Sequence, residues 1–394
     1  MLYYDHAAST PPHEDVIRTM VEVMAQHYAN PSSLHRGGVQ ARRLVDRARA
    51  LAAQLFETDA AEWRFTSGGT ESNNLAILGA ARRYRNRGNH VVTTEVEHPS
   101  VYEAFRALER EGFRVTYLSP NGTGHVTAQQ VEAVLTDDTI LVSMMHVNNE
   151  VGSVQPIEAV GRLLKDRPRT LFHVDGVQSA GKLPVQLKEW GIDLFAMSAH
   201  KLRGPRGTGW LYVRNGIELE SLLHGGEQEE GLRPGTENVS AIVAAAKALR
   251  MAVESQRERH ARMAALRQRL VRGIAAIPEL MVSGPTAEDG DSAADRPMAP
   301  HIVHFCYPGM RPEVMIHSLE KHGIIVSTKS ACSSKDEQPS RVLLAMGRDA
   351  ASAASGIRIS LGDEHREEHV DVLLARLAAV VQKLKPLIGK GSSA

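Results

Sequence analysis

The sequence has two cysteines in 394 residues, Cys306 and Cys332. Thiols this sparse exclude a disulfide framework, a four-cysteine zinc site and a cysteine-held iron–sulfur cluster. They leave room for one reactive thiol. An excess of charge of one sign is also missing, because 46 Lys and Arg are balanced by 46 Asp and Glu. That balance gives no electrostatic footprint for gripping nucleic acid or an anionic membrane surface. No stretch approaches the roughly 18 consecutive apolar residues that a membrane helix needs. The first ten residues hold Asp5 and His6 and no apolar run, so they lack the form of a signal peptide. These absences predict a soluble, cytoplasmic protein with no direct nucleic-acid or membrane partner.

What is present is an ordinary core-forming composition, 42% hydrophobic and 23% charged, in a chain long enough for a large domain and a smaller one. Short β-rich runs at 63–66, 90–94, 114–118, 140–146, 171–174, 194–198 and 210–213 alternate with helical patterns. The helical patterns lie at 14–27, 39–56, 71–85 and 100–111. Such alternation indicates βαβ units, hence a mostly parallel sheet covered on both faces, with ligands near the strand ends. A long helical stretch at 237–277, broken once, leads out of this sheet. After a polar loop at 283–300, strands at 301–305, 324–326 and 357–360 interleave with helices, as in a small α+β domain.

Four loops hold residues suited to chemistry. The first, Thr66-Ser67-Gly68-Gly69-Thr70-Glu71-Ser72-Asn73-Asn74, runs from a strand through a Gly-Gly turn into a helix. Its backbone N–H groups and hydroxyls suit a phosphate, although a Gly-rich turn with a Thr or Ser cap also accounts for it. The second, Phe172-His173-Val174-Asp175-Gly176-Val177-Gln178, ends a buried strand in an acid, fit for a cationic ring nitrogen, a metal or a helix cap. Gly176 to Lys182 also has phosphate-loop spacing, GxxxxGK. Leu183, however, stands where the magnesium-binding hydroxyl belongs, so no nucleotide is expected. The third, Met197-Ser198-Ala199-His200-Lys201, sets a lysine just past an apolar strand, where desolvation makes a Schiff-base nucleophile. The fourth, Ser330-Ala331-Cys332-Ser333-Ser334-Lys335, puts Cys332 in a polar flank near Lys329 and Lys335, which favour the thiolate. Cys306, in the apolar run Val303-His304-Phe305-Cys306-Tyr307, reads as structural.

In order along the chain stand Asn30-Pro31-Ser32-Ser33-Leu34-His35, the SGGTESNN loop, Glu97-His98 and Met145-His146-Val147-Asn148-Asn149-Glu150. HVDGVQSAGK, SAHKLRGPRGTG, Gly225-Gly226-Glu227-Gln228-Glu229 and Arg233-Pro234-Gly235-Thr236-Glu237-Asn238 follow, then SACSS and Ile357-Arg358-Ile359-Ser360-Leu361-Gly362. Together they resemble the cysteine desulfurases of the NifS/IscS type, pyridoxal-phosphate enzymes among the class V aminotransferases. The resemblance spans nearly the whole chain. It implies the α/β, PLP-dependent transferase fold type I: a mostly parallel central sheet with flanking helices, plus a smaller α+β domain. Residues 14–256 would form the large cofactor-binding domain. Residues 1–13 and 257–394 would form the small domain that carries the catalytic cysteine loop.

The resemblance also assigns roles. Lys201 would hold pyridoxal 5′-phosphate covalently and move protons at the substrate Cα. Asp175 would keep the pyridine nitrogen protonated. His98 would stack on the ring and act as general acid/base near the substrate thiol. Gln178 would bond the phenolic oxygen, and Asn149 would lie near it and the substrate carboxylate. Gly69, Thr70, Ser198 and His200 would hold the phosphate, with Thr236 reaching it from the other subunit of a homodimer. Arg358 would clamp the carboxylate of L-cysteine. Cys332 would take the sulfur as a persulfide, leaving L-alanine, and pass it to a sulfur-acceptor protein, an iron–sulfur scaffold or a tRNA-thiolation enzyme. No metal site is expected.

The Cys332 loop reads as the long kind of the NifS/IscS group, with twelve residues from Cys332 to Leu343 before the next helix. Ser327-Thr328-Lys329 departs from the Ser-Ser-Gly frequent in the family, and Pro234 stands where Ser or Ala is frequent. The chain also ends without the extension that IscS-type enzymes use to dock a scaffold, which leaves the acceptor open. A transaminase has no need for a thiol on a long polar loop, and an inactive relay subunit would lack Lys201, Asp175 or Cys332. Selenocysteine remains open as a second substrate.

Overall fold

The computed structural model describes residues 1–285, 296–328 and 338–387. Cys332, most of the polar loop and the C-terminal tail lie outside them. The chain begins with β1 (Leu2–Tyr3), α1 (Glu14–Gln26) and α2 (Arg36–Leu55). Strands and helices then alternate through β2 (Trp63–Thr66), α3 (Gly69–Arg83), β3 (His90–Thr94), α4 (Pro99–Arg110) and β4 (Arg114–Leu118). The alternation continues with α5 (Ala128–Val134), β5 (Thr139–Met145), α6 (Ile157–Leu164), β6 (Leu171–Asp175), β7 (Leu194–Ser198) and β8 (Gly209–Val213).

Strands β2 to β8 form one seven-stranded sheet in the order β2-β8-β7-β6-β5-β3-β4. Pairing is parallel except at β8, which runs antiparallel to both neighbours. Strands β5 to β8 are buried at every residue, which is why they read as unbroken apolar runs. Alternate residues serve opposite layers. Val142, Phe172, Val174, Phe195 and Met197 pack with Ala41, Val45 and Ala52 of α2. Leu141, Leu171, Leu194 and Leu211 pack with Leu75 of α3 and Phe105 of α4 on the other face.

The stretch expected as one broken helix is α7 (Val239–Glu254) and α8 (Gln256–Ala275), separated at Ser255. Beyond them, β9 (Met281–Val282), β10 (Ile302–Cys306) and β12 (Gly356–Ser360) make an antiparallel sheet in the order β12-β10-β9. Around it lie α9 (Pro312–Glu320), α10 (Arg341–Ala345), α11 (Ala350–Ala353) and α12 (Glu367–Leu384), while β11 (Ile324–Ile325) pairs in parallel with β1. Tyr4 is buried in the same core as Phe305, Ile357 and Leu373, so the N-terminus is tied to this second layered body.

Several elements depart from expectation. α5 and α6 come from segments in which no helix was expected. α5 owes its start to a capping box between Thr127 and Gln130. The helix after the cysteine loop begins at Arg341, because Ser340 accepts from Leu343 N as its cap. The connection from Cys332 is therefore shorter than the expected twelve residues. No helix among the described residues is long and apolar enough to cross a membrane.

Candidate active site

The carboxyl ends of β2, β3, β5, β6 and β7 point to one side of the sheet, and each feeds a loop that lines the same cleft. The cleft spans about 710 Å³, part of it open to solvent. Gly69 and Thr70 open α3 just after the turn from β2, His98 comes from the end of the β3–α4 loop and Asn149 from beyond β5. Asp175 ends β6 and Gln178 lies just beyond it, while Ser198 ends β7 with His200 and Lys201 just beyond. Arg358 enters from β12 in the smaller sheet. Ten of the twelve residues singled out in the sequence thus meet in one place. Thr236 is exposed and outside the cleft, and Cys332 lies outside the described residues.

The turn before α3 is shaped for close approach. A Cβ on Gly69 would lie 2.6 Å from Val177 Cγ2, so only glycine lets the two loops meet. No side chain caps α3 at its N-cap, Gly68. The N–H groups of its first turn therefore face the cleft end of the helix as an anion would need.

Asp175 is buried at the end of β6. Oδ1 accepts from Val177 N and Oδ2 from Asn73 Nδ2, each at 2.9 Å. Both donors are neutral, and burial pushes the carboxyl above its ordinary range. The nearby Lys201 ammonium acts in the opposite direction. The same Asn73 nitrogen donates to Ser100 Oγ at 2.9 Å, and Ser100 Oγ lies 2.8 Å from His98 Nδ1. His98 Nδ1 also accepts the Ser100 backbone N–H at 3.1 Å as the cap of α4. With Nδ1 used as an acceptor, the neutral ring carries its proton on Nε2. Burial, helped by Lys201, pulls His98 down to about 4, so the ring is neutral at physiological pH.

Lys201 Nζ donates to the carbonyls of Ala7 at 2.5 Å and Ala8 at 2.7 Å. The N-terminal segment therefore forms a wall of the cleft. It is stitched to the Lys201 loop by Thr10, whose N and Oγ1 both donate to His200 O. Arg358 is buried; its Nη1 donates to Asn149 O and its Nη2 to Asp5 Oδ1, each at 2.8 Å. Asn148 holds the Asn149 loop by donating to Val96 O and accepting from Glu150 N and Val151 N.

The described flanks of the Cys332 segment are fixed beside the cleft. Ser327 exchanges two backbone hydrogen bonds with Arg358. Arg341 donates to the carbonyls of Glu95 and Glu97 in the loop that ends in His98, and Ser340 Oγ donates to Glu150 Oε2 at 2.6 Å.

Sequence reasoning assigned no role to Asp5, Ala7, Ala8, Asn73 or Ser100. Asn73 and Ser100 were visible only as polar residues early in two helices. The N-terminal segment has no motif of its own and is recognisable only through its contacts. Outside the cleft, His6, Glu364 and His365 come together, but His365 Nδ1 accepts from Gly362 N at 2.8 Å. Its proton therefore sits on Nε2, and the neutral ring has no lone pair left for an ion.

Fold and site define a type of enzyme built on class V aminotransferase architecture. The pattern of the aminotransferase class-V family matches residues 2–373, and the chain belongs to that family. It is 38% identical to cysteine desulfurase IscS of Clostridium botulinum over 387 residues, 98% of this chain and 96% of that protein. It is 42% identical to cysteine desulfurase IscS of Pasteurella multocida over 391 residues, 98% and 94% of the two chains. Among solved structures, a NifS-like protein superposes with a TM-score of 0.89 at 35% identity, covering 97% of this chain and all (100%) of that one.

Proposed function

We propose that this chain is a pyridoxal-phosphate-dependent cysteine desulfurase acting on L-cysteine. The observation that carries the reading is the meeting of Lys201, Asp175, His98 and Arg358, from four separate elements, around one cleft. The likeness to enzymes named cysteine desulfurase supports it. The buried carboxyl of Asp175 and the uncapped start of α3 suit a cofactor with a cationic ring nitrogen at one end and a phosphate at the other.

Asp175 would hold the ring nitrogen, Gln178 the phenolic oxygen, and Gly69, Thr70, Ser198 and His200 the phosphate. Lys201 would anchor the aldehyde carbon. When bound, pyridoxal phosphate supplies the electron sink that lets the substrate Cα lose its proton. Lys201 takes and returns that proton, and Arg358, with Asn149 beside it, orients the substrate carboxylate. His98 offers its Nε2 proton near the substrate sulfur. The Cys332 thiolate attacks that sulfur: a sulfur–sulfur bond forms, the Cβ–S bond breaks, and Cβ is protonated. The balance is L-cysteine plus the Cys332 thiol giving L-alanine plus a Cys332 persulfide. The persulfide then passes to a sulfur-acceptor protein, an iron–sulfur scaffold or a tRNA-thiolation enzyme.

The reading includes a homodimer in the cytoplasm, where thiols stay reduced. Ile17, Val21, Met24 and Tyr28 recur at helical spacing on and just after α1 and are exposed, as is Leu34, an apolar stripe that a second copy would cover. Thr236, outside its own cleft, would then reach the phosphate of the neighbouring subunit. Residues 14–256 would form the cofactor-binding domain, and residues 1–13 with 257–394 the domain that brings Arg358 and Cys332 to it.

The test is anaerobic incubation of the yellow holoprotein with L-cysteine, counting alanine against sulfane sulfur on the protein. One alanine per chain, matched by one sulfur on the Cys332 peptide, is expected. Cys332→Ser should abolish both while retaining the cofactor. Alanine formed by Cys332→Ser at the wild-type rate would overturn the nucleophile, and failure to bind added pyridoxal phosphate would overturn the whole reading.

A further inference from the structure

Lys182 has no part in the chemistry above, although it ends the glycine-to-lysine spacing that mimics a phosphate loop. It does not line the cleft. Its side chain is buried, and Nζ donates to Gln178 Oε1 at 3.3 Å. His301, also buried, brings Nε2 to 3.4 Å from the same oxygen. On the other side of the amide, Gln178 Nε2 donates to Ala7 O at 2.9 Å, the carbonyl that also receives Lys201 Nζ. With donors gathered on Oε1 and an acceptor on Nε2, the amide has one satisfied orientation. Rotating it by half a turn would set its NH₂ against Lys182 and its oxygen against the Ala7 carbonyl.

We propose that Lys182, seconded by His301, is a positioning residue that locks Gln178 with its NH₂ toward the cleft and thereby sets the acidity of the cofactor's phenolic oxygen. The inference rests on the proposed function, because it takes Gln178 as the neighbour of that oxygen. An N–H aimed at a phenolic oxygen favours its ionised form. An amide free to turn would present its own oxygen part of the time and favour the protonated form. A lysine in the interior needs a reason to be there, and an acceptor that must be held in one orientation supplies it. Lys182 stands in the field of Lys201, Arg259 and Arg358 against the single carboxylate of Asp363. Burial first, and then that field, hold its ammonium well below the usual lysine range. A neutral amine still donates to Oε1 but can also accept from a turned amide, so in that state the Ala7 carbonyl, an acceptor only, is what excludes the turned orientation.

The test is a pH titration of the visible absorption of the bound cofactor in holoprotein, comparing wild type with Lys182→Met, Gln178→Ala and the double variant. Lys182→Met should keep the cofactor. Its band should titrate about one pH unit higher, the tenfold effect of losing one hydrogen bond to the ionised form. Lys182→Gln, which restores a donor, should return toward wild type. His301→Phe, should Lys182→Met fail to fold, should move the band in the same direction. In the double variant the shift should equal that of Gln178→Ala alone, because Lys182 acts through Gln178. An unshifted band in Lys182→Met, or shifts that add in the double variant, overturns this inference and leaves the proposed function standing. A wild-type protein that takes up no pyridoxal phosphate overturns both.

Discussion

The amide nitrogen of Asn73 lies 2.9 Å from Asp175 Oδ2 and the same distance from Ser100 Oγ. One side chain in the second turn of a helix thus supports both the acid at the end of β6 and, through Ser100, the tautomer of His98. Asn73 spends both amide hydrogens in doing so, and its Oδ1 has no partner among the described residues.

We predict that Asn73→Leu lowers cofactor affinity and alanine production together, by about 10- to 100-fold, the worth of a hydrogen bond to a charged group. Fluorescence titration of the apoprotein with pyridoxal phosphate, alongside turnover with L-cysteine, measures both. Affinity and turnover equal to wild type would show that Asp175 is held well enough by Val177 N alone.

The carboxylate role proposed for Arg358 is open to a direct test. Nη1 and Nη2 are spent on Asn149 O and Asp5 Oδ1, and Nε is buried without a partner among the described residues. A lysine would keep the charge and lose the fork. Arg358→Lys should raise KM for L-cysteine by about 10- to 100-fold, the loss of one charge-assisted hydrogen bond, with a smaller change in kcat. Steady-state kinetics of alanine release decides it; an unchanged KM would remove Arg358 from carboxylate recognition.

The two thiols should differ sharply in reactivity. Cys306 ends β10 among Val96, Met145, Val342 and Leu343. Its sulfur lies 3.8 Å from Ser283 Oγ, and burial pushes the thiol up. A chromogenic disulfide reagent should therefore label one thiol per native chain promptly and the second only after denaturation. The prompt thiol should vanish in Cys332→Ser. Prompt labelling that persists in that variant would mean that Cys306 opens to solvent in the native protein.

Much of this site was legible because its residues sit at strand ends, and strand ends are marked in sequence by an apolar run giving way to Gly, Asp or Ser. β2, β3, β4 and β7 have the expected limits for that reason. What the sequence could not convey is which loops become neighbours. Asn73 meets Asp175 across 102 positions, and the Ala7 carbonyl meets Lys201 across 194; both contacts depend on sheet order and on the path of the N-terminal segment. Lys182 shows the converse limit. Its spacing from Gly176 mimics a phosphate loop, yet its side chain lies behind Gln178, a direction that spacing does not encode.

Acid should unfold the protein through its buried imidazoles. His146 and His173 are buried on and just after neighbouring strands, with His146 Nδ1 and His173 Nε2 unpartnered among the described residues. His173 Nδ1 lies 2.8 Å from Ser143 Oγ. A second proton on either ring would create an N–H with nothing to receive it. Burial accordingly pulls His146 down to about 4 and His173 down to about 3, while in the unfolded chain both titrate near 6.5. Between those values the unfolded chain binds protons that the native chain refuses. Stability present above about pH 6.5 is therefore lost as the pH falls, and each ring costs about 2 kcal/mol by pH 5. Glu97 works in the opposite sense: burial pushes it to about 8, so its contribution is fully present below its unfolded value and lost as the pH rises through 8. Burial raises Asp175 and Asp193 as well, but these carboxyls are outnumbered on the acid side, because His90, His200 and His304 are pulled down in the same way as His146 and His173. Chemical unfolding at pH 6.5 and pH 5 should show a lower free energy at pH 5. His173→Asn, whose side-chain oxygen can still accept from Ser143, should shrink the difference by about 2 kcal/mol. Stability that is flat across this range, or a variant with the wild-type pH dependence, would mean that His173 titrates in the folded protein as it does in the unfolded chain.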